Sequence, residues 1–480
     1  MSIIYIPEVP VIPSQRPEPG PAPEPRGAPR SLGTLAAALL KHHVRWRNTV
    51  SSGSVQESAP LSGAAGLEAA RKEYAELRAR GLSLDLTRGK PSPEQLDLAG
   101  DLLSLPGAGD VKAADGTDTR NYGGLLGLPE LREIFSGPLQ VPAGQLLALG
   151  NASLTLMHDN VVQALLSVVP GGERRWADEP RVRFVCPVPG YDRHFGVCER
   201  YGIDMVPVPL TGEGPDMDVV EELVASDPTI KGMWCVPKYS NPTGEVYSDE
   251  TVRRLAAMRT AAPDFRLFWD NAYAVHHLTG ERVEILSILD ACAEAGNPDR
   301  AFVFGSTSKI TTAGSGVAFV GSSPANVAWM KERLLKQTIG PDKVNQLRHV
   351  RFFRDTDGVT AHMERHRALL EPRFAAVYEV LESELGPLGI AEWTRPKGGY
   401  FVSLDVPDGC ASEVVRLAKE AGIALTPAGA AFPYGKDPRD REIRLAPSFP
   451  SVEEVREAMR AVAVCVRLAA AEQEAAGTAG

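Results

Sequence analysis

The chain has no apolar stretch long enough to cross a bilayer. Its first residues also lack a basic region followed by an uninterrupted apolar segment, so neither a membrane protein nor a secreted one is expected. No cysteine pair has the C-x-x-C spacing of a metal or redox site. The six cysteines, Cys186, Cys198, Cys235, Cys292, Cys410 and Cys465, are dispersed, and three lie in or beside apolar, strand-like runs. They are expected to be buried free thiols in a reducing cytoplasm. Positive charge is in deficit, with a formal net charge of -10, which argues against non-specific binding to nucleic acid. There is no internal repeat. What is present is ordinary for a globular chain: 480 residues, 43% hydrophobic and 23% charged, enough for two or three domains around a large core.

The first 60 residues differ from the rest. Ile6 to Arg30 is crowded with proline and has little to bury, as in a disordered or polyproline-like tail, and Ser31 to Lys41 has the pattern of a short amphipathic helix. No role in chemistry is expected for this tail. From Gly66 onward the pattern is globular. Helices are predicted over Gly66–Arg80, Leu128–Phe135 and Leu154–Val169. Short apolar runs follow at Arg183–Cys186, Met205–Val208, Gly232–Val236, Leu267–Trp269, Ala301–Phe304 and Val317–Val320. Helical patterns at Val219–Ala225, Thr251–Thr260 and Ile285–Ala295 separate several of them. Buried strands alternating with helices define an α/β domain with a mostly parallel sheet. Pro341 to Leu385 reads as long, charged and largely helical. Strands at Tyr400–Leu404 and Ile443–Leu445, with helices at Ser412–Glu420 and Val452–Ala471, form a second, smaller α+β domain.

The chemistry-bearing residues fall at the ends of these strands. In F-V-F-G-S-T-S-K an apolar run ends in Ser306, Ser308 and Lys309. A lysine beside a buried strand is costly to desolvate unless its charge is removed, and a covalent link to an aldehyde cofactor removes it. The two serine hydroxyls suit a phosphate. A surface-loop lysine fits this stretch alone at least as well. In L-F-W-D-N-A-Y a strand ends in Asp270, with Tyr273 three residues on. This carboxylate suits a protonated pyridinium nitrogen and Tyr273 suits a phenolate oxygen, while a helix cap explains the aspartate equally. In Y-S-N-P-T-G the Asn-Pro turn presents Asn241 at the carboxyl end of a strand, where open α/β sheets bind ligands, or is only a turn. In G-N-A-S-L, Ala152 and Ser153 open a helix as an anion site or an ordinary cap. In E-I-R-L-A-P-S, Arg444 lies in an apolar strand and needs a carboxylate, either a substrate's or a structural one.

Taken in order, these stretches resemble the fold-type I aminotransferases, which depend on pyridoxal phosphate. L-T-R-G-K-P at Leu86–Pro91 and N-Y-G-G-L-L-G-L-P-E-L-R at Asn121–Arg132 add to the match, which runs from about Gly66 to the C-terminus. T-R-G-K-P-S, G-N-A-S-L and S-T-S-K-I-T narrow it to a divergent bacterial subgroup of aspartate aminotransferases, related to the aminotransferase-like domains of certain transcriptional regulators. The resemblance implies a seven-stranded-type sheet in the large domain. It also implies a division into a tail (1–60), an N-terminal segment joining the small domain (61–115), a large cofactor-binding domain (116–345) and a small C-terminal domain (346–480).

The resemblance also assigns roles. Lys309 is expected to bond the cofactor and shift the proton, with Asp270 on the pyridinium nitrogen and Asn241 and Tyr273 on the ring's 3-oxygen. Ala152, Ser153, Ser306 and Ser308 are expected to cradle the phosphate, joined by Tyr122 from a neighbouring subunit of a homodimer. Tyr191, in V-P-G-Y-D, would stack on the ring. Arg444 would clamp the substrate's α-carboxylate, and Gly89 would lie in a loop approaching it. For a second carboxylate, Arg88 and Arg120 are preferred over Lys90, Arg193 and Lys238, the last expected to be merely solvated. One departure stands out: family members carry a phosphate-binding arginine seven or eight residues after the lysine, where this chain has Gly316 and Val317.

The function expected is ping-pong transfer of an amino group from L-aspartate, or a related amino acid, to 2-oxoglutarate, with small amino and keto acids as partners and no metal. The alternatives are another amino donor, a C–S lyase on the same fold, or a regulatory effector-binding domain. The last would bring a basic N-terminal helix-turn-helix, and residues 1–60 show no such pattern.

Overall fold

The computed structural model describes residues 64–87 and 89–478. The expected tail and Arg88 lie outside the described residues. All six apolar runs are strands, and a seventh joins them. The strands are β2 (Leu146–Leu149), β3 (Arg183–Val188), β4 (Asp204–Pro209), β5 (Ile230–Cys235), β6 (Arg266–Asp270), β7 (Ala301–Ser306) and β8 (Ala318–Gly321), preceded in the chain by a short β1 (Leu84–Asp85). They form one seven-stranded sheet in the order β2-β8-β7-β6-β5-β3-β4. Only β8 runs against the others, pairing antiparallel with both β2 and β7.

The apolar runs are continuous because both faces of this sheet are covered. Met233, Cys235, Leu267, Trp269 and Val303 face one core, whereas Trp234, Phe268, Phe302 and Phe304 face the other. Strand alternation then decides where the next residue emerges. Asp270, two residues past Phe268, leaves the sheet on the side of Trp234.

A third core lies around three antiparallel strands, β9 (Glu392–Trp393), β10 (Val402–Asp405) and β12 (Glu442–Leu445), in the order β12-β10-β9. In this sheet Arg444 pairs with Ser403. β1 pairs in parallel with β11 (Ile423–Ala424), which brings the N-terminal segment against the C-terminal part of the chain. The helices that matter for the site, in chain order, are α1 (Ala64–Ala79), α2 (Pro93–Asp97), α3 (Pro129–Leu139), α4 (Ser153–Leu166) and α5 (Asp192–Arg200). The stretch read as one helical region over Pro341–Leu385 is two helices, α6 (Lys343–Phe353) and α7 (Thr356–Glu384). They part where Arg354 takes a φ of 69° and the Asp355 carboxylate caps α7 by accepting from Gly358 N at 2.8 Å. All six cysteines are buried and unbridged. Among the described residues no helix is long and apolar enough to cross a membrane.

Candidate active site

Asp270 is the last residue of β6, and no helix follows for it to cap. Its Oδ2 accepts from His194 Nε2 at 3.1 Å, and both side chains are almost wholly buried. The imidazole is fixed in turn by stacking on Trp234, with ring centroids 4.4 Å apart and planes 10° from parallel. Asp270 Oδ1 is buried and has no hydrogen-bond partner. A buried carboxylate oxygen without a donor is costly to retain, so the site is shaped for an N–H brought by something else. His194 was not singled out from the sequence. Its signal is its place in the first turn of α5, three residues after Tyr191, where its side chain turns back over the strand ends.

Lys309 follows β7 by three residues, in an irregular turn. Its Nζ lies over the Tyr273 ring, 4.9 Å from the centroid. Burial lowers the amine's pKa below the usual lysine value, and the negative charge of Asp270 opposes this. Tyr273 is buried, and its phenol is pushed well above the usual tyrosine range, first by burial and then by Tyr191 and Asp270. Tyr191 sits edge-on to His194 at 5.0 Å, with its own pKa pushed up to about 12 by burial and by Asp270. Tyr191, His194, Trp234 and Asn241 line one cavity.

Asn241 is buried in the turn after β5. The loop is pinned internally, Ser240 N donating to Glu245 O at 2.9 Å and Glu245 N to Thr243 Oγ1 at 3.3 Å. The Glu245 carboxyl accepts from Gly214 N and is pushed up to about 8 by burial. The folded protein therefore keeps a proton on Glu245 that the unfolded chain releases. Stability is lost as pH rises from the ordinary carboxyl range towards 8, and the loss levels off above that. Glu245→Gln is expected to melt above the native protein at pH 8, with the difference shrinking towards pH 5. A melting-temperature difference equal at both pH values would show that the carboxyl is ionised in the fold. Lys238, expected to be solvated, is instead buried. Its Nζ donates to Ala274 O at 2.8 Å, and desolvation lowers its pKa to about 8. The Asn-Pro turn folds its side chain inward, which the local polarity of the sequence does not reveal.

Arg444 reaches the same place from β12. Its Nη1 lies 3.0 Å from Asp192 Oδ1 and 3.4 Å from Asn241 Oδ1, and its guanidinium lies over Phe401 at 5.2 Å. Asp192 thus supplies a carboxylate partner within the chain, while Arg444 Nε stays buried and unpartnered. Gly89 passes over the same phenyl ring. A Cβ there would come within 2.3 Å of the far end of the Phe401 ring, so any larger residue would have to push that ring aside.

Ala152 is the N-cap of α4 and offers no side-chain cap, leaving the first amides of the helix without one. Ser308 Oγ donates to Asn151 O at 3.1 Å, and Ser306 Oγ donates to Ser308 Oγ at 3.1 Å, so both serines stand beside that terminus and Ser153. The missing arginine has a steric reason at Gly316. A Cβ there would lie 2.8 Å from Thr307 Oγ1, and Val317 is tied to Thr307 by two hydrogen bonds. Two expected residues lie apart from this group. Tyr122 is 80% exposed, and Arg120 is spent on Asp118 in a surface ion pair at 2.7 Å. Among the described residues no cluster could hold a metal ion.

A doubly covered, mostly parallel sheet with a lysine, an aspartate and an asparagine at its carboxyl ends is the architecture of the fold-type I aminotransferases. The chain belongs to the aspartate aminotransferase family, whose model it matches over residues 59–478. It is 60% identical over 407 residues to a protein of Mycolicibacterium smegmatis whose name gives an aminotransferase without a substrate, covering 84% of this chain and 95% of that one. It is 53% identical over 405 residues to an aspartate aminotransferase of Corynebacterium glutamicum, covering 84% and 94%. The crystal structure of an aspartate transaminase from C. glutamicum superposes with a TM-score of 0.84 at 52% identity, covering 85% of this chain and 96% of that one. The enzyme is an aminotransferase.

Proposed function

We propose that this aminotransferase uses pyridoxal phosphate, linked through Lys309, to move the amino group of L-aspartate to 2-oxoglutarate by a ping-pong mechanism. The observation that carries the cofactor reading is the unpartnered buried oxygen of Asp270, set near a lysine whose charge burial disfavours. When bound, the cofactor supplies an electron sink that acidifies the substrate's α-hydrogen and carries the amino group between half-reactions. The chain's own residues do the rest. Asp270 Oδ1 would accept a hydrogen bond from the ring nitrogen and keep that nitrogen protonated, with His194 holding the carboxylate from the other side. Asn241 and Tyr273 would donate to the ring's 3-oxygen, and Tyr191 would cover one face. The amides at Ala152 and Ser153, the hydroxyls of Ser306 and Ser308, and Tyr122 from a neighbouring subunit would hold the phosphate in a homodimer. Lys309 Nζ, favoured in its neutral form by burial, would take the α-proton and hand it on to the bound cofactor.

Arg444 would bind the α-carboxylate that every amino acid shares. Asp192 neutralises it while the site is free, so an incoming carboxylate competes with one already in place. Aspartate as donor rests on the named relative, and a second cation for its side chain would come from Arg88 or from Arg120 released from Asp118. Two measurements test this reading. A panel of amino donors with 2-oxoglutarate should show aspartate as the preferred one; no keto acid from aspartate would remove it. Arg444→Ala should raise KM for every donor, by about two orders of magnitude for loss of a buried charge partner worth roughly 3 kcal/mol. An effect confined to one donor would place Arg444 on a side chain instead.

A further inference from the structure

Around the backbone of Lys309 and Ile310 lies a buried polar network that the chemistry above does not use. Its members come from four separate parts of the chain: Gln95 on α2, His276 after β6, His362 and His366 one turn apart on α7, and Tyr400 before β10. All five are at least 96% buried. Gln95 is the hub. Its Oε1 accepts from Ser92 N at 3.1 Å in a capping box, which leaves its Nε2 to donate twice, to Tyr400 Oη at 2.9 Å and to His366 Nδ1 at 3.0 Å. Tyr400 Oη in turn donates to the carbonyl of Lys309 at 3.2 Å. His366 Nδ1 is an acceptor, so its ring proton sits on Nε2. That nitrogen is 3.1 Å from His362 Nε2, and both rings turn towards the carbonyl of Ile310, which His362 meets at 2.7 Å. His276 Nε2 approaches the Lys309 carbonyl at 3.4 Å.

Burial pulls His276, His362 and His366 below the usual histidine range, so all three are neutral. Each then has one N–H to give, and the geometry directs it at the backbone of the catalytic turn. Two consecutive carbonyls in an irregular turn, at Lys309 and Ile310, thus receive donors from outside that turn. Tyr400 and His276 also pack edge-on to one another and flank Tyr273, whose face carries Lys309 Nζ.

We infer that Gln95, Tyr400, His362 and His366 are positioning residues, a neutral hydrogen-bond network that fixes the backbone of Lys309 and so the reach of its amine. This rests on the reading of Lys309 as the cofactor-bearing lysine. The network orders atoms without touching substrate, so it bears on the turnover step and not on affinity. It also ties the N-terminal segment to α7, since Gln95 and His366 are 271 residues apart, and through Tyr400 and His362 it ties both to the catalytic turn.

The test uses the cofactor-loaded enzyme and two variants, Tyr400→Phe and Gln95→Leu. Tyr400→Phe removes one oxygen and keeps the ring packing. Borohydride labelling of the native enzyme comes first: a label on a lysine other than Lys309 refutes the cofactor reading and leaves the network without a role. With the label on Lys309, Tyr400→Phe should lower kcat about tenfold, the scale of one net hydrogen bond, with KM within about twofold. The visible circular-dichroism band of the bound cofactor should weaken, because its attachment is less fixed. Gln95→Leu, which strips donors from both arms, should lose more of each. If Gln95→Leu does not fold, Tyr400→Phe decides alone. Wild-type kcat and dichroism with only a lower melting temperature, or a change confined to KM, would overturn the inference and make the network part of the core.

Discussion

Lys309→Ala is expected to lose transamination by at least about three orders of magnitude, since in the proposed function one side chain supplies both the covalent anchor and the proton carrier. The geometry leaves little to replace it. The Nζ is placed over Tyr273, its charge is disfavoured by burial, and its backbone carbonyl is held by Tyr400. The residual rate should rise when a small amine such as methylamine is added, because an external base can enter the space vacated. Steady-state assays with aspartate and 2-oxoglutarate, with and without the amine, measure both. A variant that turns over within tenfold of the native enzyme would show that the proton moves through another group.

Asp270→Ala should be the second most damaging change, lowering kcat by about two to three orders of magnitude, the usual effect of removing one preorganised electrostatic partner. Some cofactor should remain bound, because the phosphate contacts expected at α4 and the serines are untouched. The physical reason is the division of the Asp270 carboxylate. One oxygen is spent on His194, and the other is buried with nothing to accept from. In the proposed function, removing the carboxylate would leave the ring nitrogen without a counter-charge in a dehydrated place, and its proton would be lost. Kinetics together with the cofactor content of the purified variant decide the matter. A near-normal rate would mean that Asp270 serves only to orient His194.

The parts legible in the sequence share a cause. β5, β6 and β7 are buried on both faces, so they appear as unbroken apolar runs, and a polar residue follows each where the sheet meets the crevice: Asn241 six residues past β5, Asp270 at the end of β6, and Lys309 three residues past β7. Lys309, Asp270 and Asn241 could therefore be found by looking at strand ends. β2 was missed because Leu146–Leu149 is a four-residue strand running straight into the turn before α4, and its run of leucine and alanine favours a helix as much as a strand. Asp192 was passed over beside Tyr191, because its role is set by Arg444, 252 residues away. The histidines of α7 fall on a helical face that reads as ordinary core. Only the fold brings them to the carbonyl of Ile310. Arg120 shows the opposite case: a cation beside a matched motif that spends its charge on Asp118 two residues away.

The claim on which the rest depends is that Lys309 carries the cofactor. The direct measurement is borohydride reduction of the purified enzyme, digestion, and mass spectrometry of the peptides. A pyridoxyl-phosphate mass increment is expected on the peptide containing Ser306-Thr307-Ser308-Lys309, and none in Lys309→Ala. An increment on another lysine, or none in a protein that still transaminates, would contradict the claim.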